Sequence, residues 1–157
     1  MLLPSTAEPY VEAPAAPDGA LRTAVTPFAQ SRKVLLLEDD PSFKDIMQCF
    51  LAENNFHVVA VQNGVEGVHK VLADDFEVIL CDMLMPTLPG DMFFRAVERM
   101  RPHLCDRFIF MTGYRGNAKV NEFISAVNGT VLTKPFQVDD LLELIAFIEL
   151  RSFLLAA

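Results

Sequence analysis

Two stretches, 33-KVLLLEDDP-41 and 78-VILCDMLMP-86, decide the fold. In each, a four-residue apolar run (34–37 and 78–81) leads without a polar break into acidic side chains. An unbroken apolar run reads as a strand buried on both faces, the pattern of a parallel sheet covered by helices. The residues that follow read as a turn into a helix. Asp40 is placed as N-cap and Pro41 as the first helical residue, where a missing N–H costs nothing.

Outward from these strands the chain alternates. The first helix runs to about Asn54, with Phe43, Ile46, Met47, Phe50 and Leu51 forming its apolar stripe. A second strand follows over 57–61, then a helix over 64–73 with Val65, Val68, Val71 and Leu72 on one side. The loop 86–90 opens a helix over about 91–100, and a fourth strand covers 107–111. A helix over about 117–127, a fifth strand over 130–133 and a last helix from Val138 complete the series. That last helix carries Leu141, Leu142, Ile145, Ile148 and Leu150. Strands alternating with helices through short connections predict an α/β fold, a doubly wound five-stranded parallel sheet with helices on both faces.

Residues 1–31 differ in kind. Pro4, Pro9, Pro14, Pro17 and Pro27 stand among Ala, Thr and Glu, which reads as a Pro/Ala-rich linker or leader. The globular domain is expected over 32–152, with 153–157 a short tail too small for a DNA-binding output domain. A formal net charge of −8, with scattered Lys and Arg, argues against a nucleic-acid surface, because nothing would neutralise a row of phosphates. Cys49, Cys81 and Cys105 form neither a CxxC pair nor an even set, so free thiols are expected. No basic leader and no membrane-length apolar run occurs, and the expected location is cytoplasmic, with no membrane partner.

Ligands of doubly wound sheets bind at the carboxyl ends of the strands. There the chain places Glu38 and Asp39 after the first strand and Asp82 after the third. Thr112-Gly113 follows the fourth, and Lys134-Pro135-Phe136 the fifth. Carboxylates crowded together repel, so a cation is expected among them. Oxygen-only donors suit Mg²⁺. Thr112 offers a hydroxyl and Lys134 a point charge for further oxygens. Each residue also has a plainer reading. The acids could serve the helix dipole, Asp82 could end a strand, Thr112 could belong to a turn, and Lys134 could be a solvated lysine. His57, His69 and His103 lack ligand spacing, and the methionines read as core.

The segments VLLLEDDP, VILCDMLMP, FMTGY and LTKPF resemble the four signature segments of response-regulator receiver domains, of the flavodoxin-like chemotaxis-regulator type. The separations Asp82 to Thr112 (30 residues) and Thr112 to Lys134 (22 residues) are similar to the family's. The resemblance covers about residues 33–151. It implies that Asp82 is the phosphoacceptor and that Glu38, Asp39, Asp82 and the backbone carbonyl of Leu84 hold Mg²⁺. It further implies that Thr112 is the switch hydroxyl, that Lys134 binds a phosphoryl oxygen, and that a cis peptide precedes Pro135. Implied too are a histidine kinase or upstream kinase domain as partner and a phosphoacceptor role rather than enzymatic turnover.

Two departures stand out. Val131 occupies a place that is often aromatic in the family, so the usual route from site to surface is altered. Leu84 and Tyr114 occupy places that tune hydrolysis of the aspartyl phosphate, and neither offers a carboxylate or amide to position water. A long-lived phosphoryl state is the expectation. Val131 also keeps open a pseudo-receiver, an interaction module without phosphorylation. An aspartate-nucleophile phosphatase would want a second aspartate where Leu84 stands, and an FMN carrier a Ser/Thr-rich loop where the acids stand. Either a stand-alone regulator or the receiver part of a hybrid kinase fits. The apolar stretch 144–155 predicts a homodimer or kinase docking through the last two helices and the fifth strand.

Overall fold

The computed structural model describes residues 32–113 and 117–156; the segment 1–31 and Tyr114 lie outside the described residues. In order, the elements are β1 (Arg32–Leu37), α1 (Pro41–Glu53), β2 (Phe56–Val61), α2 (Gly64–Ala73), β3 (Val78–Asp82) and α3 (Gly90–Met100). A 3₁₀ turn (Pro102–Arg107), β4 (Phe108–Gly113), α4 (Ala118–Ala126), β5 (Thr130–Lys134) and α5 (Val138–Ala156) follow. The strands pair in parallel in the order β2-β1-β3-β4-β5. α5 is helical through Ala156, into the stretch set apart above as a tail.

Strand alternation divides the core into two layers. Leu35 and Leu37 of β1 join Ile79, Cys81, Phe108 and Phe110 in a cluster with residues of α2, α3 and α4. Their neighbours Val34 and Leu36 join Val78, Leu80, Ile109 and Met111 in a second cluster, with α1 and α5. The uninterrupted apolar runs are thus explained: every residue in them faces one helix layer or the other. On the first face Phe93, Phe94, Phe108, Phe110 and Phe123 make tilted and edge-on ring contacts at 5.0–5.7 Å.

Helix contact stripes are narrower than the sequence suggests. In α1, Met47 and Leu51 are buried, whereas Ile46 is 66% exposed, because it lies about 100° around the helix from Met47. In α2 the buried residues are Gly64, Gly67 and Val71, and the expected Val65 and Leu72 are exposed. Glycines do the packing there: a Cβ on Gly67 would come within 2.6 Å of Leu37 and 2.9 Å of Phe93. In α5, Leu141, Ile145 and Ile148 face the sheet while Leu150 points to solvent.

Ion pairs close the amino edge of the sheet. Arg32 holds Glu149 of α5 through two hydrogen bonds of 2.8 and 2.9 Å and stacks over Phe56 at 4.0 Å. Arg101 and His103 of the 3₁₀ region meet Asp75 at 2.7 and 3.0 Å, and Arg107 donates to the Phe76 carbonyl. His103, which lacks ligand spacing in the sequence and is expected to be structural or exposed, has a structural role here. Its hydrogen bond leads in holding the Asp75 carboxyl below its usual range.

Among the described residues, three other than glycine have positive φ: Asn55 and Asn128 at helix ends, and Thr87 at 74° in the β3–α3 loop. Asparagine tolerates this region, but a β-branched residue there is strained by about 1 kcal/mol or more. Thr87→Asn should therefore raise the unfolding free energy by about 1 kcal/mol in urea titrations. An unchanged or lower value would show that the loop does not carry this strain.

Candidate functional site

The site begins where β1 runs out. The Glu38 N–H still pairs with the Val61 carbonyl at 3.0 Å, which carries the strand register one residue further. The Glu38 side chain is 1% exposed, and one of its oxygens accepts from the Asp40 N–H at 3.1 Å. Asp40 has turned away to cap α1, accepting from the Phe43 N–H at 3.1 Å. Asp39, between them, is left exposed to solvent.

Asp82 ends β3 opposite Met111 and is 8% exposed. Its Oδ1 accepts from the Leu84 N–H at 3.1 Å. Gly90, the first residue of α3, donates to the Met83 carbonyl, and a Cβ on it would stand 2.8 Å from the Asp82 carbonyl. Only a glycine lets the helix start this close beneath the strand end.

Lys134 reaches this place from β5, two strands away, just before the cis Lys134–Pro135 peptide. Its Nζ donates to Glu38 Oε2 at 2.7 Å and to Asp82 Oδ2 at 3.2 Å. Glu38, Asp39 and Asp82 each present an oxygen within 4.8 Å of the others. Three carboxylates and one ammonium leave excess negative charge, partly buried and open to water at Asp39. That hard-oxygen donor set fits an ion that keeps part of its hydration, as Mg²⁺ does.

The electrostatics follow from the crowding. Burial, joined by the like charge of Asp82, pushes the Glu38 carboxyl above its usual 4.5 despite the bonds from Lys134 and Asp40. Burial works against the Lys134 ammonium as well, but Glu38 and Asp82 outweigh it and hold its pKa above 10.5.

Thr112 is buried one residue beyond the partner of Asp82, opposite Thr133. Leu84 is 62% exposed, and Val131 lies 39% exposed on β5 opposite Phe110. Phe43 was read from sequence only as part of the α1 stripe. In the structure its ring lies 4.5 Å from Lys134 Nζ, a placement that helical periodicity does not reveal. The clue available was its place in the first turn, directly after the acidic loop.

The sequence pattern of the response regulator receiver domain matches residues 34–146. The chain belongs to this family. Among characterised receiver proteins, it is 27% identical over 126 residues to the response regulator receiver protein CpdR of Brucella abortus, covering 80% of this chain and 99% of CpdR. It is 27% identical over 114 residues to FleR of Pseudomonas aeruginosa, covering 73% of this chain but only 24% of FleR. It spans about half of the cell cycle response regulator CtrA of Brucella ovis, 51% of its length. Among solved receivers, chemotaxis protein CheY4 of Vibrio cholerae superposes with a TM-score of 0.67 at 24% identity, over 75% of this chain and 98% of that one. A CheY-like receiver from Methanospirillum hungatei superposes with 0.71 at 23%, over 78% and 96%. Receiver domains are signalling modules of two-component systems, and the acidic cluster lies where the doubly wound sheet exposes its strand ends.

Because the Lys134 pKa is raised on folding, the stability its ion pairs supply is complete below pH 10.5 and is lost as pH rises through the higher folded value. Urea titrations between about pH 9 and about pH 12 should show wild type losing stability more steeply than Lys134→Met. Equal slopes would exclude this linkage.

Proposed function

We propose that this receiver takes a phosphoryl group from the phosphohistidine of a histidine kinase onto Asp82. The observation that carries this reading is the single ammonium of Lys134 bonded to both Glu38 and Asp82 beside Asp39. An oxygen of Asp82 bonds to phosphorus while the nitrogen–phosphorus bond of the donor breaks, its electron pair leaving with the imidazole. Glu38, Asp39, Asp82 and the Leu84 carbonyl would hold Mg²⁺, which when bound neutralises charge on the phosphoryl oxygens. Lys134 then exchanges a carboxylate for a phosphoryl oxygen, and the Thr112 hydroxyl donates to another.

Output in this reading passes through protein contacts. α5 presents Phe147, Leu150, Leu154 and Leu155 to solvent, and Val131 of β5 is exposed as well. These favour a homodimer or kinase docking through α4, β5 and α5. The reading goes with a cytoplasmic module, either a stand-alone regulator or part of a hybrid kinase. The exposed apolar Leu84, with Tyr114, supports slow hydrolysis of the acyl phosphate.

Incubation with Mg²⁺ and acetyl phosphate should add the mass of one phosphoryl group to wild type and none to Asp82→Asn. The added mass should persist for minutes or longer after the donor is removed; decay within seconds would refute the long-lived state. No gain in wild type would favour a pseudo-receiver. Sedimentation with and without beryllofluoride should reveal a dimer that strengthens in its presence.

A further inference from the structure

We propose that Phe43 is a positioning residue for Lys134, its ring holding the ammonium over the site while a divalent ion claims the carboxylates. Among the described residues, Lys134 Nζ has three partners at contact distance: Glu38, Asp82 and the Phe43 ring at 4.5 Å from the centroid. Two of these are carboxylates of the metal-binding cluster. An ion drawn to them weakens the attraction that keeps the lysine in place, because it competes for the same oxygen lone pairs and adds positive charge beside the ammonium. The ring does not compete in this way. Its quadrupole attracts the cation without offering an oxygen, and the contact gains strength where water is partly excluded.

The ring is itself held from two sides. The Phe43 N–H donates to the Asp40 cap at 3.1 Å, so its backbone is anchored by the loop that carries Glu38 and Asp39. Phe136, two residues after Lys134, meets Phe43 edge-on at 5.9 Å and 76°. Both rings pack against the cluster of α1 and α5. A half-buried phenylalanine in the first turn of α1 is thus fastened to two of the three chain segments that build the site, the acidic loop and the end of β5.

The role depends on the metal reading of the site, and the experiment separates the two. Phe43→Leu keeps apolar bulk and removes the quadrupole, Lys134→Met keeps length and removes the charge, and Phe43→Trp restores a ring. A double-mutant cycle by urea unfolding should give a Phe43–Lys134 coupling of about two- to fivefold in the unfolding constant. It should be seen in chelator and again in saturating Mg²⁺, and be retained when Trp replaces Phe. Should Lys134→Met fail to fold, the Lys134 Cε protons decide: the ring shifts them upfield in wild type, and Phe43→Leu returns them to ordinary positions. Coupling or ring shift absent in either buffer, while Mg²⁺ stabilises wild type, overturns the proposal alone. Wild type unmoved by Mg²⁺ would remove the metal reading and, with it, the competition that gives Phe43 its task.

Discussion

Glu38 and Asp82, two carboxylates at the ends of neighbouring strands and both nearly buried, share one ammonium. Removing such charges from water costs several kcal/mol each unless attraction and hydrogen bonds make it good. Here the Asp40 N–H, the Leu84 N–H and Lys134 supply those bonds, and the raised Glu38 pKa shows that they do not fully offset burial. Counting Asp39, the cluster carries three negative charges against one positive. The remaining two match a divalent cation, so the same tension that weakens the bare domain favours ligand binding.

This arrangement depends on register. β1 and β3 are paired so that Leu37 lies beside Cys81, which leaves Glu38 and Asp82 as the next residues on each strand. The order β2-β1-β3 places the chain reversal between these two strands, where the helices of the two faces diverge and a crevice opens. A slip of one residue would turn the apolar run of β1 to the wrong layers as well as displace Glu38. The core that fixes the register therefore also fixes the carboxylate spacing.

Much of this was legible because strand and helix have different periods. The apolar runs 34–37 and 78–81, buried on both faces, and the Asp40-Pro41 cap could be read directly. So could the convergence of acids, Thr112 and Lys134 at one edge. What escaped has physical causes. Gly64 and Gly67 share the contact face of α2 with Val71, and a reading that follows bulky residues found Val71 but missed the glycines and added the exposed Val65 and Leu72. The 3₁₀ turn 102–107 buries one residue, Leu104, and a single apolar position has no period. Phe43 belongs to the α1 stripe and also meets Phe136 and the Lys134 ammonium, and only the first of these leaves a mark on spacing.

The two edges of the sheet are built to opposite specifications. At the amino edge Arg32, Lys33 and Arg101 each meet an acid, Glu149, Asp74 and Asp75 in turn, and the Arg107 guanidinium holds a carbonyl. Cation and anion are matched there, and the edge serves as a clasp. At the carboxyl edge the local rules are broken together. Glu38 is buried with a raised pKa, Thr87 adopts a positive φ, and α3 starts at Pro89-Gly90 without a side-chain cap. These departures from local consistency gather at the edge that carries the acidic cluster. The clasped edge and the strained one are joined through the core, because β1, β3 and β4 run from one to the other and residues 34–37, 78–81 and 109–111 between them are fully buried.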